Sequence, residues 1–170
     1  MINSNNNTKN KYRGKAIVPN PSEDIENYND MLKKYGNKNG WLFGQLGLSE
    51  ENDPYIIGHV IQDADLVLLP ELWAVEPNSV SQFTGEHDSE DHEIFEGDIL
   101  EVAVDGDPLD PDKYLTQVWF EKGAFLVDVV GEEFDILDIG YAKELWSGCH
   151  KYCRVVGNIS DNPELLKEQK

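Results

Sequence analysis

The stretch QFTGEHDSEDHEIFEGDILEV, residues 82–102, joins a turn signal, an acidic segment and an apolar pattern. Thr84–Gly85 and Gly97 suit bends of the chain, because glycine adopts positive φ angles without strain. After Gly97 the apolar residues roughly alternate with polar ones, and a period of two predicts a half-buried β-strand. The stretch therefore predicts a β-rich fold in which residues 86–93 form an acidic connection.

Short apolar segments continue on the C-terminal side of this connection. TQVWF and AFLVDVV flank EKG, which predicts a hairpin with Lys122–Gly123 at its tip. YCRVVGNI predicts a last strand, and Pro163 after Asp161 or Asn162 as a cap predicts a short terminal helix. Four or five short strands within residues 94–160 are typical of a small SH3-like barrel.

The N-terminal half combines one helical segment with strand-like segments. Residues 1–10 are polar and rich in asparagine, which indicates a disordered tail. In residues 22–35 the apolar positions recur at helical spacing, which predicts a helix. WLFGQLGL, YIIGHVI and WAV are short and rich in aromatic and branched residues, as strands are. We therefore expect a mainly β protein: a β-rich N-terminal part with one helix at 11–85, and a small barrel ending in a short helix at 94–170.

The negative charge of the chain is concentrated in its central third. Residues 1–85 carry 11 acidic and 7 basic residues, net −4, whereas residues 86–138 carry 18 and 2, net −16. Residues 139–170 carry 4 acidic and 5 basic residues, net +1, which completes the total of −19. Such a field keeps the protein in solution, repels nucleic acid and attracts basic partners. Direct nucleic-acid binding is not expected, because the basic patch KNKYRGK at 9–15 is short.

The absence of targeting features predicts a soluble cytoplasmic protein. No apolar run reaches the length of a membrane span, and the N-terminus lacks the apolar segment of a secretory signal. The two cysteines, Cys149 and Cys153, are too few for a disulfide framework. We therefore expect no membrane association, and we expect both cysteines to be free thiols.

Seven segments carry a resemblance to a known family. They are KYRGK (11–15), GW (40–41), YII (55–57), SVSQFTG (79–85), IFEGDI (94–99), VWF-EKG-AF (118–125) and VVGNISDNPELL (155–166). In this order the chain resembles the YopX family of phage and prophage proteins from Lys11 to Leu166. The resemblance implies a phage-encoded, β-rich protein from a Gram-positive host or its prophage, with no assigned enzyme activity and no catalytic residues to carry over. Residues 86–93 replace a mixed-charge turn of the family with an acidic one, and residues 22–35 resemble an insertion.

Three segments contain side chains of the types that bind metals. They are His87, Asp88, Asp91 and His92; Asp105, Asp107, Asp110 and Asp112; and Cys149, His150 and Cys153. The first set suits Zn²⁺ or Mn²⁺, but a polar loop between strands lacks the fixed geometry that a metal site needs. The second lacks the glycine and glutamate of a calcium loop, and the third supplies one pair of cysteines where structural zinc needs four ligands. We expect a solvated loop at 86–93, with no metal, no cofactor and no catalytic residue.

Three functions are compatible with this sequence. The first is a non-enzymatic module that binds an unknown host or phage protein, and the negative charge favours a basic partner. This module is also expected to form a homo-oligomer through the apolar strands of residues 41–75. The alternative is an acidic nucleic-acid mimic that inhibits a host DNA-binding or defence protein. The third is a metal-dependent hydrolase, which no ligand spacing supports. Nucleophilic catalysis and phosphate binding lack support as well, because the sequence has no G-x-S-x-G elbow and no glycine-rich phosphate loop. The expected interaction surface comprises Glu90, Asp91, Glu93, Asp105, Asp107, Asp110, Asp112 and Trp119.

Overall fold

The described part of the chain is mainly β, as the sequence predicts. The structure is a computed structural model that describes residues 11–17, 25–37, 39–57, 72–103, 113–127 and 153–167. These residues form eleven short strands and one α-helix, and every strand pair is antiparallel. The chain divides into two compact units, Met1–Gln82 and Phe83–Lys170.

The first unit is a curled antiparallel sheet with one helix. Its elements are β1 (Tyr12–Lys15), α1 (Ile25–Tyr35), β2 (Trp41–Leu48), β3 (Pro54–Ile57), β4 (Leu72–Ala74) and a short 3-10 helix (Pro77–Ser79). The strands pair in the order β4-β3-β2-β1. A bridge between Ala16 and Val75 joins the end of β4 to the end of β1. The Ile17 N–H also donates to the Ala74 carbonyl at 3.3 Å, so the sheet curls back on itself.

The helix of the first unit packs its apolar face against this sheet. The buried core consists of Ala16, Met31, Leu42, Ile56 and Val75. Fully burying an aliphatic side chain of this size contributes roughly 1.5–3 kcal/mol to folding. Lys33 and Lys34 lie in the last turn of α1, where cations favour the helix dipole. The predicted helix is therefore present over its described residues.

The second unit contains a three-stranded sheet and two hairpins. Its elements are β5 (Ser81–His87), β6 (Glu93–Phe95), β7 (Asp98–Ala103), β8 (Lys113–Gln117), β9 (Trp119–Glu121), β10 (Ala124–Leu126) and β11 (Cys153–Asn158). The first two residues of β5 belong to the first unit. The three-stranded sheet has the order β11-β7-β8, while β5 pairs with β6 and β9 pairs with β10. Its core is formed by Ile94, Leu100, Val118 and Cys153.

The predicted hairpin at 119–126 is confirmed. Glu121 lies opposite Ala124, which leaves Lys122 and Gly123 as a two-residue loop. Both loop residues have positive φ, 49° and 89°, as the type I′ hairpin turn requires.

Two predictions about the C-terminal part are wrong. The described strands of the second unit do not close into an SH3-like barrel. They form the sheet β11-β7-β8 and separate two-stranded pairs instead. Between β8 and β9 the Val118 N–H donates to the Asp98 carbonyl, and the Val118 carbonyl accepts the Gly97 N–H. The terminal helix is also not formed: Leu165 donates to Asn162 and Lys167 to Glu164, so residues 163–167 are successive turns. Both bonds span three residues, as bonds of turns do, whereas those of an α-helix span four.

The prediction of free thiols is wrong for Cys153. Cys153 is disulfide-bonded, and it is buried at the start of β11. The prediction considered only the redox state of the compartment, whereas burial also shields a sulfur atom from soluble thiols. The other cysteine, Cys149, lies outside the described residues, as does the acidic segment 105–112.

Candidate functional site

The acidic segment forms the ordered connection between β5 and β6. His87 lies opposite Glu93, and the loop between them, residues 88–92, is closed by a bond from the Asp88 N–H to the His92 carbonyl at 2.8 Å. Asp91 has a φ of 65°, in the left-handed region that Asp tolerates better than most residues. Gly85 also has a positive φ, 94°, but it lies at an irregularity within β5 and not in the tight turn that the sequence predicts.

Asp88 is the centre of this loop, and its side chain is 0% exposed. Its Oδ1 accepts the N–H groups of Glu90 at 2.8 Å and His92 at 2.9 Å. Its Oδ2 accepts the N–H of Val155 at 2.9 Å, and the His92 Nδ1 lies 3.4 Å from the same oxygen. The prediction of a solvated loop is therefore wrong at Asp88, whose carboxylate joins two distant parts of the chain.

The electrostatics of Asp88 match this role. Burial on its own would raise the pKa of the Asp88 carboxyl, because a low-dielectric surrounding disfavours the charged form. The three backbone N–H groups and the His92 ring act in the opposite direction and together hold the pKa below its ordinary value. The carboxylate is therefore charged at neutral pH, and hydrogen bonds to a charged acceptor are the stronger kind.

The loop lies along the outer edge of β11. Besides the bond from Val155 to Asp88, the Ser89 N–H donates to the Cys153 carbonyl at 2.9 Å. The opposite edge of β11 pairs with β7, where Cys153 faces Val102 and Val155 faces Leu100. The acidic loop thus covers backbone groups of an edge strand that would otherwise need another partner.

The exposed face of the loop carries charges of both signs. The Glu90 side chain is 53% exposed, and Asp91 is exposed beside it. Arg154 lies between two carboxylates, 3.8 Å from Glu90 and 3.4 Å from Glu101. Lys113 lies 3.1 Å from the same Glu101 oxygen. Surface pairs of this kind contribute little to stability but fix where charges are displayed.

The structure places the predicted interaction residues in separate locations. Glu90 and Asp91 share the exposed tip of the loop, Glu93 is half-buried at the start of β6, and Trp119 is half-buried in β9 opposite Leu126. Asp105, Asp107, Asp110 and Asp112 lie outside the described residues.

The prediction of the surface omitted the residues that organise it, Asp88, Glu101 and Arg154. Their partners are 53 and 67 positions away along the chain, so no local sequence pattern marks them.

Metal binding finds no support in the described part of the chain. There, no three His, Cys, Asp or Glu side chains come together as a metal site would require. His87 packs edge-on against the Phe83 ring, with ring centroids 5.6 Å apart, while His92 faces Asp88. The same described residues include no helix able to cross a membrane.

Two of the resemblance segments, IFEGDI and VVGNISDNPELL, meet in the second unit. The buried Asp98 accepts the Phe95 N–H at 2.8 Å across the turn at Gly97, and the Gly97 carbonyl accepts the Ile159 N–H at 2.9 Å. Gly157 lies at an irregularity of β11, and a Cβ there would lie 2.7 Å from the Asn162 Oδ1. Both segments therefore hold the scaffold together.

Comparisons with known proteins identify the family of this chain. A sequence model described as YopX protein matches residues 28–167, and the chain belongs to the YopX family. No match was found among curated proteins. Among solved structures, the chain is similar to the crystal structure of protein EF1440 from Enterococcus faecalis, with 21% identity and a TM-score of 0.36. That alignment covers 68% of this chain and 91% of the other.

Proposed function

We propose that this protein is a phage-encoded, non-enzymatic interaction module that binds a basic protein in the host-cell cytoplasm through the acidic loop 88–92. The observation that supports it most is the fixed position of the loop: buried Asp88 bonds to Val155, while Glu90 and Asp91 remain exposed. A surface loop that is already ordered loses less conformational entropy on binding than a mobile one. Its negative charge also speeds encounters with a positive partner.

The nucleic-acid mimic is the second candidate, and the described surface favours it less. A nucleic-acid backbone presents phosphates about 3.4 Å apart along each strand, with no cations built between them. Here Arg154 lies within 4 Å of both Glu90 and Glu101, and Lys113 lies within 4 Å of Glu101, so positive groups interrupt the acidic surface. The net charge of −16 over residues 86–138 remains the argument for the mimic.

We also propose that the module self-associates through the outer face of the first unit. Ile17 is 51% and Leu72 is 53% exposed. Ile17 bonds to Ala74, which lies opposite Tyr55, while Leu72 lies opposite Ile57. Paired residues share one face of a sheet, so these side chains form a continuous apolar patch of the kind that protein interfaces use.

A capture experiment with matched charge variants tests the role of the loop. Tagged wild-type protein, a Glu90→Gln/Asp91→Asn variant and a Glu50→Gln/Glu51→Gln control are incubated with host lysate and washed with rising salt. Both variants lose two exposed negative charges, but the control loses them from the turn between β2 and β3. We expect the loop variant alone to release the partner at lower salt. Equal retention by all three proteins, or equal loss from both variants, would contradict recognition by this loop.

A further inference from the structure

A guanidinium group lies between two carboxylates on the surface of the second unit. Arg154 of β11 lies directly opposite Glu101 of β7, so the two side chains project from the same face of the sheet. The Arg154 Nη2 is 3.4 Å from the Glu101 Oε1, and its Nη1 is 3.8 Å from the Glu90 Oε1 at the tip of the acidic loop. The space between the loop tip and the sheet therefore holds one guanidinium that reaches both carboxylates.

The contacts of Arg154 in this space are loose. Hydrogen bonds between a guanidinium and a carboxylate are normally about 2.7–2.9 Å long, and both distances here are longer. The Arg154 side chain is 47% exposed and the Glu90 side chain is 53% exposed, so water competes for both groups. Exposed ion pairs of this kind contribute little to stability, and Arg154 can therefore leave the space at small cost.

A second cation contacts only one side of this arrangement. The Lys113 Nζ lies 3.1 Å from the same Glu101 oxygen that Arg154 contacts. Arg154 reaches from this oxygen to Glu90, because its two terminal nitrogens are separated by the width of the guanidinium. The two cations of this surface thus differ in what they do: Lys113 neutralises one carboxylate, whereas Arg154 bridges two.

We propose that the basic partner presents an arginine to this space, and that Arg154 occupies the position of that arginine in the free protein; this rests on the function proposed for the acidic loop. The incoming guanidinium binds between Glu90 and Glu101, and Arg154 turns out into solvent. A guanidinium is planar and carries donors on both terminal nitrogens, whereas a lysine ammonium is a compact point charge. The site therefore prefers arginine to lysine, and Arg154 lowers its affinity for either.

Two peptides that differ only in their basic residue test this preference. They are a short peptide of alternating glycine and arginine, and the same peptide with lysine in place of every arginine. We expect the wild-type protein to bind the arginine peptide about threefold more tightly than the lysine peptide in titration calorimetry at low salt. Arg154→Gln should widen this preference, because it vacates the space in which a guanidinium fits.

Lys113→Gln is the matched control for Arg154→Gln. It removes the same charge from the same Glu101 oxygen but leaves Arg154 in its place between the carboxylates. It should therefore strengthen the binding of both peptides equally and leave the preference for arginine unchanged. Both substituted side chains are substantially exposed, 47% for Arg154 and 40% for Lys113, so neither change disturbs the core.

The outcomes separate the arginine site from the function proposed for the loop. Equal binding of the two peptides by the wild type, or an unchanged preference in Arg154→Gln, would refute the arginine site and leave a basic partner possible. Equal binding of both peptides by the wild type and by Glu90→Gln/Asp91→Asn would instead refute the loop as the binding surface, and the arginine site with it. If Arg154→Gln does not fold, the comparison of the two peptides on the wild type decides by itself.

Discussion

At the scale of single residues, Asp88 determines what the acidic segment is. Five of the eight residues 86–93 are acidic, and a segment of this composition is predicted to be solvent-exposed. One of the five is nevertheless fully buried, because its carboxylate satisfies three backbone N–H groups. The remaining acids at the loop tip stay exposed, so one residue serves the fold while its neighbours are available for binding.

Removing the Asp88 carboxylate should destabilise the second unit. Asp88→Ala leaves three N–H groups without their charged acceptor, and two of them lie within the loop. We expect a loss of about 2–4 kcal/mol in the free energy of unfolding, measured by urea titration. The Asp91→Asn control should stay within about 0.5 kcal/mol of the wild type. A loss below about 1 kcal/mol for Asp88→Ala would mean that the carboxylate does not organise the loop.

The buried Asp88 carboxylate should also make the stability of the protein decrease at acid pH. The pKa of the Asp88 carboxyl is lower in the folded protein than in the unfolded chain, where it is about 3.9. Its stabilisation is therefore fully present above that unfolded value and is lost as the pH falls through the folded value. The difference in unfolding free energy between wild type and Asp88→Asn should be constant above about pH 5 and should shrink as the pH falls from about 5 to about 2. A difference that stayed constant between about pH 5 and about pH 2 would contradict the assignment.

At the scale of elements, local patterns predict most of the described strands. WLFGQLGL corresponds to β2 along its whole length, and the Lys122–Gly123 tip lies where the sequence places it. These elements are predictable because apolar periodicity and turn residues act over a few positions. The terminal helix is the exception: Pro163 is a favourable first residue, but the backbone bonds after it span three residues and close turns. The contacts of Asp88 and Arg154 with distant partners leave no local signal at all.

The β9–β10 turn offers a stabilising substitution. Lys122 has a φ of 49°, a region that costs a residue with a Cβ roughly 1–2 kcal/mol and that Asn tolerates better. Lys122→Asn creates the Asn-Gly pair favoured in type I′ turns and should raise the unfolding free energy by about 0.5 kcal/mol. Gly123→Ala, at a φ of 89°, should lower it by about 1 kcal/mol. Thermal unfolding of both variants checks the turn, and a destabilised Lys122→Asn would argue against this geometry.

At the scale of the whole molecule, charge and apolar surface lie in different parts of the chain. The central third carries most of the negative charge, whereas the exposed apolar patch belongs to the first unit. A chain with a net charge of −19 repels its own copies over most of its surface, so self-association needs an uncharged contact region. The patch around Ile17 and Leu72 provides side chains of that kind.

If the protein self-associates through this patch, a lysine introduced there should dissociate the assembly, whereas a lysine introduced elsewhere should not. Leu72→Lys places a charge in the patch and should shift the protein toward the 19.3 kDa monomer in sedimentation experiments. Leu48→Lys is the matched control, because Leu48 is equally exposed, at 56%, but lies opposite Pro54 at the other end of β3. Dissociation by both variants, or a wild type that is monomeric at all concentrations, would exclude the patch as the interface.

Asp88 is expected to hold the acidic loop in a fixed structure. The most direct test is ¹⁵N relaxation of the loop amides in the wild-type protein, those of Ser89, Glu90, Asp91 and His92. If Asp88 fixes the loop, these amides should have order parameters of about 0.8 or higher, similar to those of β7 and β11. Values below about 0.6 at these four residues, with a rigid sheet beside them, would show that the loop is mobile and that Asp88 does not fix it.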